Sequence, residues 1–502
     1  MRHEAIVPVS IAVTVLCGFG YVLSTPQAGN LQLVVSILML LLYLGATLLR
    51  PTLGLALVSA TIPFLGVFRR ILYQQSPTSF DALLLVIPLY SALMLLVIVI
   101  THRERFRAML RQSLTSRLLL ILMFILAAQI FNPLQGGLAV GVAGALFYLV
   151  PLCWYFIGRL YLTDAAMKTI LTCFVISSVI AAAYGLMQTL VGFPGYDAYW
   201  IAQVSKTGYV ALNVGSAIRA FGPATSAAEY ASFLSAGLAC LFALIVFRFQ
   251  FLAVIPIALL GTALILESSR TIIFLMAVIL VALLALRQRS KTRALLMVGL
   301  LIVVSVFAYQ QFSRTTFTSA SDASLPVNGL LAHQINGLAH PLDSKYSTGQ
   351  LHFQQIVNSF TASARNPFGF GLGSTTIAAS KFGTSGQSAE LDIPNMFLSG
   401  GIVAGVLYLI ILYRTFRAGA TLAFRYKQPV DVLAFVAVAI TFGQTLNGGY
   451  YSLMPFVWMF IAWIDRRAVE SLIPARSAPR RPPKISFAPP TLASAAPRKI
   501  GL

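Results

Sequence analysis

The sequence contains few charged residues, which occupy only 10% of its 502 positions, whereas soluble domains carry roughly 25%. Acidic residues are the scarcest among them, with 14 Asp and Glu against 35 Lys and Arg. Hydrophobic residues make up 58% of the chain, and the mean hydropathy is +0.84. A chain so poor in charge cannot surround soluble cores with a solvated surface, which excludes an ordinary soluble protein of several domains.

Cysteine and histidine are also scarce, with four and five residues respectively. The cysteines form no CxxC pair and all fall inside predicted helices, so we expect them to be inert, small apolar residues: Cys17, Cys153, Cys173 and Cys240. No group of His, Asp or Glu has metal-ligand spacing, and the sequence predicts neither a metal site nor a cofactor. The net charge of +21 does not indicate nucleic acid, because the basic residues are scattered without aromatic residues for base stacking.

What the chain has instead is a succession of apolar segments long enough to cross a membrane. They predict an all-α polytopic integral membrane protein with about 14 transmembrane helices, in a range of about 12–14. The first is interpreted as a retained signal-anchor because no small-residue cleavage site follows it. Segments 51–67, 270–286 and 451–464 are alternatively re-entrant or tilted. The predicted helices cover residues 6–23, 31–49, 51–67, 80–100, 116–131, 139–161, 168–192, 226–247, 251–268, 270–286, 294–309, 395–413, 431–447 and 451–464.

The basic residues predict the orientation of these helices. Most Lys and Arg residues lie in segments 101–117, 287–293 and 414–427 and in the chain after residue 464. The positive-inside rule places these segments, and both termini, in the cytoplasm. Arg69 and Arg70 are the main exceptions, because they fall on a predicted outer loop. We divide the chain into N-terminal transmembrane helices (1–204), a second transmembrane region (205–465) and a basic, Pro-rich tail predicted to be disordered (466–502).

Two outer segments interrupt the apolar pattern, one over 193–225 and the other over 310–394. The second is rich in Ser, Gly and Asn, contains three histidines (His333, His340 and His352), and includes a predicted helix over 345–364. Because a loop this long is usually functional or disordered, we expect any chemistry to lie on this outer face.

Two arginines at the outer boundary are the strongest candidates for that chemistry. Arg219 precedes the helix predicted over 226–247, and Arg270 lies in the turn before the helix predicted over 270–286. An arginine near hydrocarbon is costly unless paired or hydrated, and a guanidinium suits bidentate binding of phosphate or diphosphate. The alternatives are an interfacial anchor or an ion pair between Arg270 and Glu267.

The segment Arg219-Ala-Phe-Gly222 resembles the Arg-x-x-Gly segment that opens a helix in the O-antigen ligase and polysaccharide polymerase family. The segment Glu267-Ser-Ser-Arg270-Thr resembles that family's Ser-Arg-Thr/Gly turn into the next helix.

Two further segments carry the same resemblance. The run Asn366-Pro-Phe-Gly-Phe-Gly-Leu-Gly373 is similar to the family's Pro-x-x-Gly-x-Gly-x-Gly run, and Asn395-Met-Phe-Leu is similar to its Asn-x-Tyr-Leu helix opening. The four segments follow the family's order across 205–465.

The resemblance implies a GT-C-like glycosyltransferase of a bacterial inner membrane that works outside the cytoplasm without metal or cofactor. An acceptor hydroxyl would attack the anomeric carbon of a polyprenyl-diphosphate-linked glycan, and Arg219 and Arg270 would stabilise the leaving diphosphate. The implied partners are this lipid-linked donor, a glycan acceptor, the bilayer and other polysaccharide assembly proteins, but not nucleic acid.

O-antigen ligases commonly have a histidine, the proposed general base, just before the asparagine that matches Asn395. This sequence has Pro394 at that position. Glu390, Asp392 and His352 are the alternatives, each of which is otherwise a solvated loop residue. Gln350 stands about where an arginine of the loop helix is expected. These departures favour a polymerase of exopolysaccharide, capsule or O-antigen over a ligase.

Other residues are candidates for substrate binding. Glu229 lies within a predicted helix, where it would pair with Arg219 or Arg270 or line the acceptor path. Gly371 and Gly373 lack the neighbouring Lys-Ser/Thr of a phosphate-binding loop. The alternative is that they permit a tight turn. The full set, besides the two arginines, is Glu229, Arg365, Gly371, Gly373 and Asn395.

Two rival classes predict different behaviour. A transporter or lipid-linked sugar flippase usually carries ionisable residues or broken helices at the bilayer midplane, whereas here the acidic residues other than Glu229 lie at helix ends or in loops. A scaffold for polysaccharide assembly predicts that Arg219 and Arg270 can be replaced without loss of polymer.

Overall fold

The computed structural model describes most of the chain. The predicted helix over 6–23 and Glu390 lie outside the described residues. Those described are 30–75, 81–206, 213–214, 217–247, 251–288, 290–312, 326–340, 343, 348–377, 379, 382, 386, 391–446 and 452–472.

The first part of the chain forms ten helices within the described residues. Short 3₁₀ turns at Ile62–Phe64 and Ala82–Leu85 lead into the third and fourth of them. The helices are α1 (Asn30–Leu49), α2 (Pro51–Thr61), α3 (Leu65–Gln75), α4 (Val86–Thr101), α5 (Arg103–Gln112), α6 (Leu114–Gln129), α7 (Leu138–Tyr148), α8 (Val150–Tyr161), α9 (Asp164–Leu190) and α10 (Gly195–Lys206).

Two short antiparallel strands follow and form a hairpin: β1 (Asn213–Val214) pairs with β2 (Ala217–Ile218). The helix predicted over 345–364 is found at Gly349–Arg365. Residues 466–472 of the predicted tail are helical, whereas the sequence predicted disorder. The remaining described helices are α11 (Ala227–Phe247), α12 (Val254–Glu267), α13 (Arg270–Arg287), α14 (Lys291–Phe312), α15 (Pro326–Ala339), α16 (Gly349–Arg365), α17 (Asp392–Thr421), α18 (Pro429–Ile440) and α19 (Met454–Leu472).

The described helices confirm an all-α membrane protein with several spans. Among the described residues, eight segments are long and apolar enough to cross a membrane, or nine if α5 and α6, bent by 110°, count as one. Large apolar side chains such as Leu295 and Phe274 are 73% and 67% exposed, which suits contact with lipid. Helices α12 and α18 are apolar but shorter than a full span. The total of about 14 spans therefore stays a prediction.

Small residues bring the central helices close together. A Cβ on Gly237 of α11 would lie 2.4 Å from the Cβ of Ser178 on α9. A Cβ on Gly158 of α8 would lie 2.8 Å from the Cβ of Ala462 on α19. Close backbone approach through small residues is the usual basis of helix packing in membranes, and it explains why α11 is buried along most of its length.

The basic segments meet at one end of the bundle. The hydroxyl of Ser113 donates one shared hydrogen bond to the carboxylate of Asp465, whose two oxygens lie 2.9 and 2.7 Å away. Arg414 donates to Thr115 at 3.3 Å, and Lys427 donates to a carbonyl in the last turn of α13 at 2.8 Å. We call this the basic end. The opposite end, which carries α10, the hairpin, α15 and α16, is the loop end.

At the loop end, α17 is broken at Gly401, where φ is 82° and ψ is 178°. Ile402 cannot make its regular bond to the carbonyl of Leu398, and its N–H donates instead to the carbonyl of Pro367 at 2.9 Å. The carbonyl of Leu398 accepts from the N–H of Phe370 at 2.7 Å. The loop backbone thus replaces the hydrogen bonds that the break removes from the helix.

The glycines of the same loop segment allow this close approach. A Cβ on Gly369 would lie 2.5 Å from the backbone nitrogen of Gly401, and one on Gly401 would lie 2.5 Å from the carbonyl oxygen of Pro367. Both glycines have positive φ, 84° and 82°. Residues 366–373 therefore pack as part of the helix bundle.

We expect Gly401→Ala to destabilise the protein by about 2–4 kcal/mol, because alanine disfavours the left-handed region and its Cβ meets backbone atoms that cannot move alone. Gly45→Ala is the matched control, since a Cβ there has no neighbour within 4 Å. It should be neutral or stabilising by about 0.5–1 kcal/mol. Thermal unfolding of both variants in detergent tests this, and equal melting temperatures would contradict it.

Candidate functional site

The segment that carries Arg219 is fixed at the loop end by a buried arginine, Arg70 of α3. Its side chain is 1% exposed and donates to Asp197 at 2.6 Å, with Asp197 fully buried. It also donates to the carbonyl oxygens of Gly222 at 2.7 Å and Ala224 at 2.5 Å. One guanidinium therefore ties α3, α10 and the 219–226 segment together.

Two further side chains complete this attachment. Gln188 of α9 accepts from the N–H of Gly222 at 2.7 Å and donates to Asp197 at 2.7 Å. Glu229 of α11 accepts from the N–H and hydroxyl of Thr225 at 2.9 and 2.6 Å. It also accepts from the N–H and hydroxyl of Ser452 at 2.7 and 2.6 Å. The segment after Arg219 is thus held on both sides by buried polar groups.

These contacts explain the two exceptions to the positive-inside pattern. Arg69 forms an ion pair with Asp81 at 2.5 Å, and Arg70 forms its pair with Asp197. Both are 8% exposed or less, so they serve the protein interior and do not act as loop charges.

The turn between α12 and α13 brings Arg219 and Arg270 together. Ser268 adopts the left-handed conformation, with φ of 68°, and Arg270 begins α13. Glu267, fully buried, accepts from Arg219 with an N–O distance of 3.4 Å. This ion pair attaches Arg219 to the turn in which Arg270 lies three residues later. Glu267 therefore pairs with Arg219, whereas the sequence suggested a pair with Arg270.

Helix α15 covers Arg270. Nη2 of Arg270 lies 2.6 Å from Nε2 of His333 and donates to the His333 carbonyl at 3.2 Å. A Cβ on Gly337 would lie 1.9 Å from Cζ of Arg270, so the absence of a side chain there makes room for the guanidinium. The hydroxyl of Ser268 donates to the carbonyl of Leu330 at 3.5 Å. The helix therefore lies directly over the 267–270 turn.

The imidazole of His333 is neutral in this arrangement. A guanidinium has no acceptor, so Nε2 of His333 must accept from Arg270. Burial and the positive charges of Arg270 and Arg219 lower the pKa of His333 to about 4. The site therefore combines two guanidinium groups with one carboxylate and a neutral imidazole, which leaves it net positive.

Glu229, predicted to pair with an arginine or to line the acceptor path, has its carboxylate bonded to Thr225 and Ser452. It also borders a small cleft with Gly66, Arg69 and Pro223. The structure therefore gives Glu229 a part in holding the Arg219 segment, and its suggested role toward substrate stays a prediction.

The other candidates lie on α16 and α17. His352 contacts Thr348 at 2.9 Å and Gln355 at 3.4 Å on α16, and Arg365 is exposed in the last turn of that helix. Asp392 is buried at the start of α17.

The Asp392 carboxylate accepts from the N–H of Leu446 at 2.7 Å and from the hydroxyl of Tyr408 at 3.4 Å. Asn395 is 4% exposed one turn later. The choice between His352, Asp392 and Glu390 as base stays open.

Gly371 and Gly373 have their backbone N–H groups occupied. Gly371 donates to the carbonyl of Ser399 at 3.1 Å, and Gly373 donates to the side chain of Gln135 at 3.1 Å. A Cβ on Gly373 would lie 2.2 Å from Val140. This geometry favours the turn-and-packing interpretation of these glycines over phosphate binding.

The sequence interpretation missed α15 and its residues facing Arg270. Its pattern, however, contains a usable signal: Pro326 opens the helix, and Leu330, His333, Gln334 and Gly337 recur at spacings of three and four. Within the described residues, no three His, Cys, Asp or Glu side chains form a group that would hold a metal ion.

Lowering the pH from 6.5 towards 4 should weaken the contact between α15 and Arg270. Because the pKa of His333 is lowered to about 4 in the folded protein, the folded chain binds fewer protons there than the unfolded chain does between pH 4 and 6.5. The contribution of His333 to the free energy of unfolding is therefore present above pH 6.5 and is lost as the pH falls towards 4. His333→Gln should flatten the pH dependence of the melting temperature. The same change at His352 is the control, and an unchanged profile for His333→Gln would contradict the assignment.

No protein-family model matches this chain, and neither a curated protein nor a solved structure is significantly similar to it. A functional interpretation therefore depends on the contacts described above and on the resemblance of the short sequence segments.

Proposed function

We propose that this protein is a metal-independent membrane glycosyltransferase. It polymerises polyprenyl-diphosphate-linked oligosaccharide repeat units on the extracytoplasmic face of a bacterial inner membrane. The observation that carries the proposal is that Arg219 pairs with Glu267 at 3.4 Å in the same turn that holds Arg270, at the loop end. Two of the four sequence segments that resemble the ligase and polymerase family contain these same arginines.

The charge balance supports a diphosphate as the ligand. Two guanidinium groups are accompanied by one carboxylate, Glu267, so the site keeps a net positive charge that attracts an anionic group such as a diphosphate. Arg270 also begins α13, where the helix dipole favours an anion. Guanidinium groups bind phosphate oxygens in a bidentate manner, which suits a diphosphate better than a single carboxylate.

The proposed reaction is a displacement at the anomeric carbon. The oxygen of an acceptor sugar hydroxyl forms a bond to this carbon, and the bond to the diphosphate oxygen breaks. The lipid diphosphate leaves with the electron pair, and the hydroxyl proton passes to a base, for which Glu390, Asp392 and His352 are the candidates. Arg219 and Arg270 stabilise the negative charge that grows on the leaving group.

The attachment of the Arg219 segment supports this role. Electrostatic stabilisation is strongest when the donors are positioned before the reaction. Arg70, Gln188 and Glu229 fix the 219–229 segment through buried hydrogen bonds. Arg219 thus projects from a rigid support, and its guanidinium needs little reorganisation to meet the diphosphate.

Arg270→Ala should reduce polymer formation by about 100- to 1,000-fold, the usual cost of removing one charge-stabilising donor. Arg287→Ala, an exposed arginine at the other end of α13, is the matched control and should leave polymer unchanged. Polymer length and lipid-linked intermediates are measured in cells at equal membrane abundance. Accumulated single repeats support the polymerase, whereas full-length polymer retained on the lipid indicates a ligase. Unchanged polymer contradicts the proposal and leaves a transporter or scaffold.

Gly337→Ala should lower activity by about 10- to 100-fold without unfolding the protein, because a misplacement of about 1 Å at a catalytic group is enough. The new methyl group meets the flexible end of the Arg270 side chain, which moves aside. Gly329→Ala is the control on the same helix, where a Cβ would lie 4.0 Å from Ala217. Rates from purified protein in nanodiscs, together with melting temperatures, separate the two effects; equal rates would contradict the role of Arg270.

A further inference from the structure

The buried face of α15 carries a glutamine directly over the 267–270 turn. Leu330 and Gly337, on either side of Gln334 along this face, contact Ser268 and Arg270 respectively. Residues at spacings of three and four share one face of a helix, so Gln334 faces the same turn. Its side chain is 2% exposed.

The amide of Gln334 is unusual because it is buried without partners. Within the described residues, neither Nε2 nor Oε1 has a hydrogen-bond partner. Buried side-chain amides are normally satisfied, as Gln188 is by Asp197 and the N–H of Gly222. Leaving a donor and an acceptor unpaired in the interior is costly, and such groups indicate a strained or ligand-binding position.

Other unpaired atoms lie around the same turn. Oε2 of Glu267 and Nε of Arg270 are buried and have no hydrogen-bond partner in the described part of the chain. The hydroxyl of Tyr230 is also buried without a hydrogen-bond partner among the described residues, and the Tyr230 ring packs against Gly222, three residues after Arg219. Unpaired donors and acceptors therefore occur together on the segments that carry or cover the two arginines.

This set of groups matches a particular ligand chemistry. A sugar presents hydroxyls that donate and accept at once, so Gln334 and Tyr230 can each make both kinds of bond to neighbouring hydroxyls. Glu267 adds an unpaired carboxyl oxygen, which can accept a bond from a hydroxyl. An apolar ligand would leave all these atoms unpaired.

We propose that Gln334, with Glu267 and Tyr230, forms a saccharide subsite that binds hydroxyls of the sugar attached to the diphosphate. The inference rests on the proposed function, because it takes Arg219 and Arg270 as the diphosphate site. In this arrangement Gln334 selects the donor sugar, and the arginines hold its lipid diphosphate. Gln334 is a specificity residue that touches substrate and takes no part in proton transfer.

The first test is thermal stability. Gln334→Leu removes two unpaired polar atoms and keeps the side-chain volume, so the melting temperature of the ligand-free protein should stay equal or rise. Gln188→Leu is the matched control, where the same change breaks satisfied hydrogen bonds and should lower the melting temperature. A fall for Gln334→Leu as large as that for Gln188→Leu would overturn the proposal, since it would mean that Gln334 stabilises the empty fold.

The second test measures binding of polyprenyl diphosphate with and without one attached sugar, using purified full-length protein in nanodiscs. Wild type should bind the sugar-bearing lipid about 10-fold more tightly, as expected for one well-placed set of hydrogen bonds. Gln334→Leu should bind both lipids equally, and Arg270→Ala should bind both weakly. If wild type binds both lipids equally and Arg270→Ala weakens the binding of both, the saccharide subsite is contradicted and the diphosphate site is supported. If wild type binds neither lipid, the proposed function fails together with the subsite.

Discussion

The buried ion pair between Arg70 and Asp197 is the interaction on which the loop end depends. Removing a charged group from water is costly, and a guanidinium that is 1% exposed must recover that cost through good geometry. Arg70 does so with one carboxylate and two backbone carbonyls. Breaking a buried pair by removing one partner typically costs about 3–5 kcal/mol, because the other charge is left uncompensated. Here the loss would release α10 and the Arg219 segment at once.

The distribution of satisfied and unsatisfied polar groups separates support from function. The groups that hold the backbone, such as Gln188 and Glu229, have their hydrogen bonds filled by protein partners. The unpaired buried atoms include Gln334, Glu267 and Arg270, all at the contact of α15 with the 267–270 turn. A folded protein tolerates such local conflict mainly where a ligand resolves it. Single unpaired buried atoms also occur elsewhere in the described residues, as at Ser59 and Thr415, whereas several occur together at this contact.

Hydropathy predicted the described helices well, because a membrane requires about 20 apolar residues in a row and leaves few alternatives. It was less informative about span number, since α12 and α18 are apolar but short. The proximity of Arg219 and Arg270 could be anticipated because both precede helices that start on the same side. The partner of Glu267, the engagement of Glu229 and the pairing of Arg70 could not, because each depends on contacts between residues distant in sequence. Helix α15 was missed because its short amphipathic pattern lies inside a polar loop.

The break in α17 has a consequence for how the protein is made. A helix entering lipid normally satisfies its own backbone hydrogen bonds. Around Gly401, however, α17 takes bonds from Pro367 and Phe370, which belong to the loop that precedes it in the chain. The loop therefore has to reach its position before the upper part of α17 becomes fully stable. Docking of the loop and completion of the helix are coupled steps, and the chain order supplies the loop first.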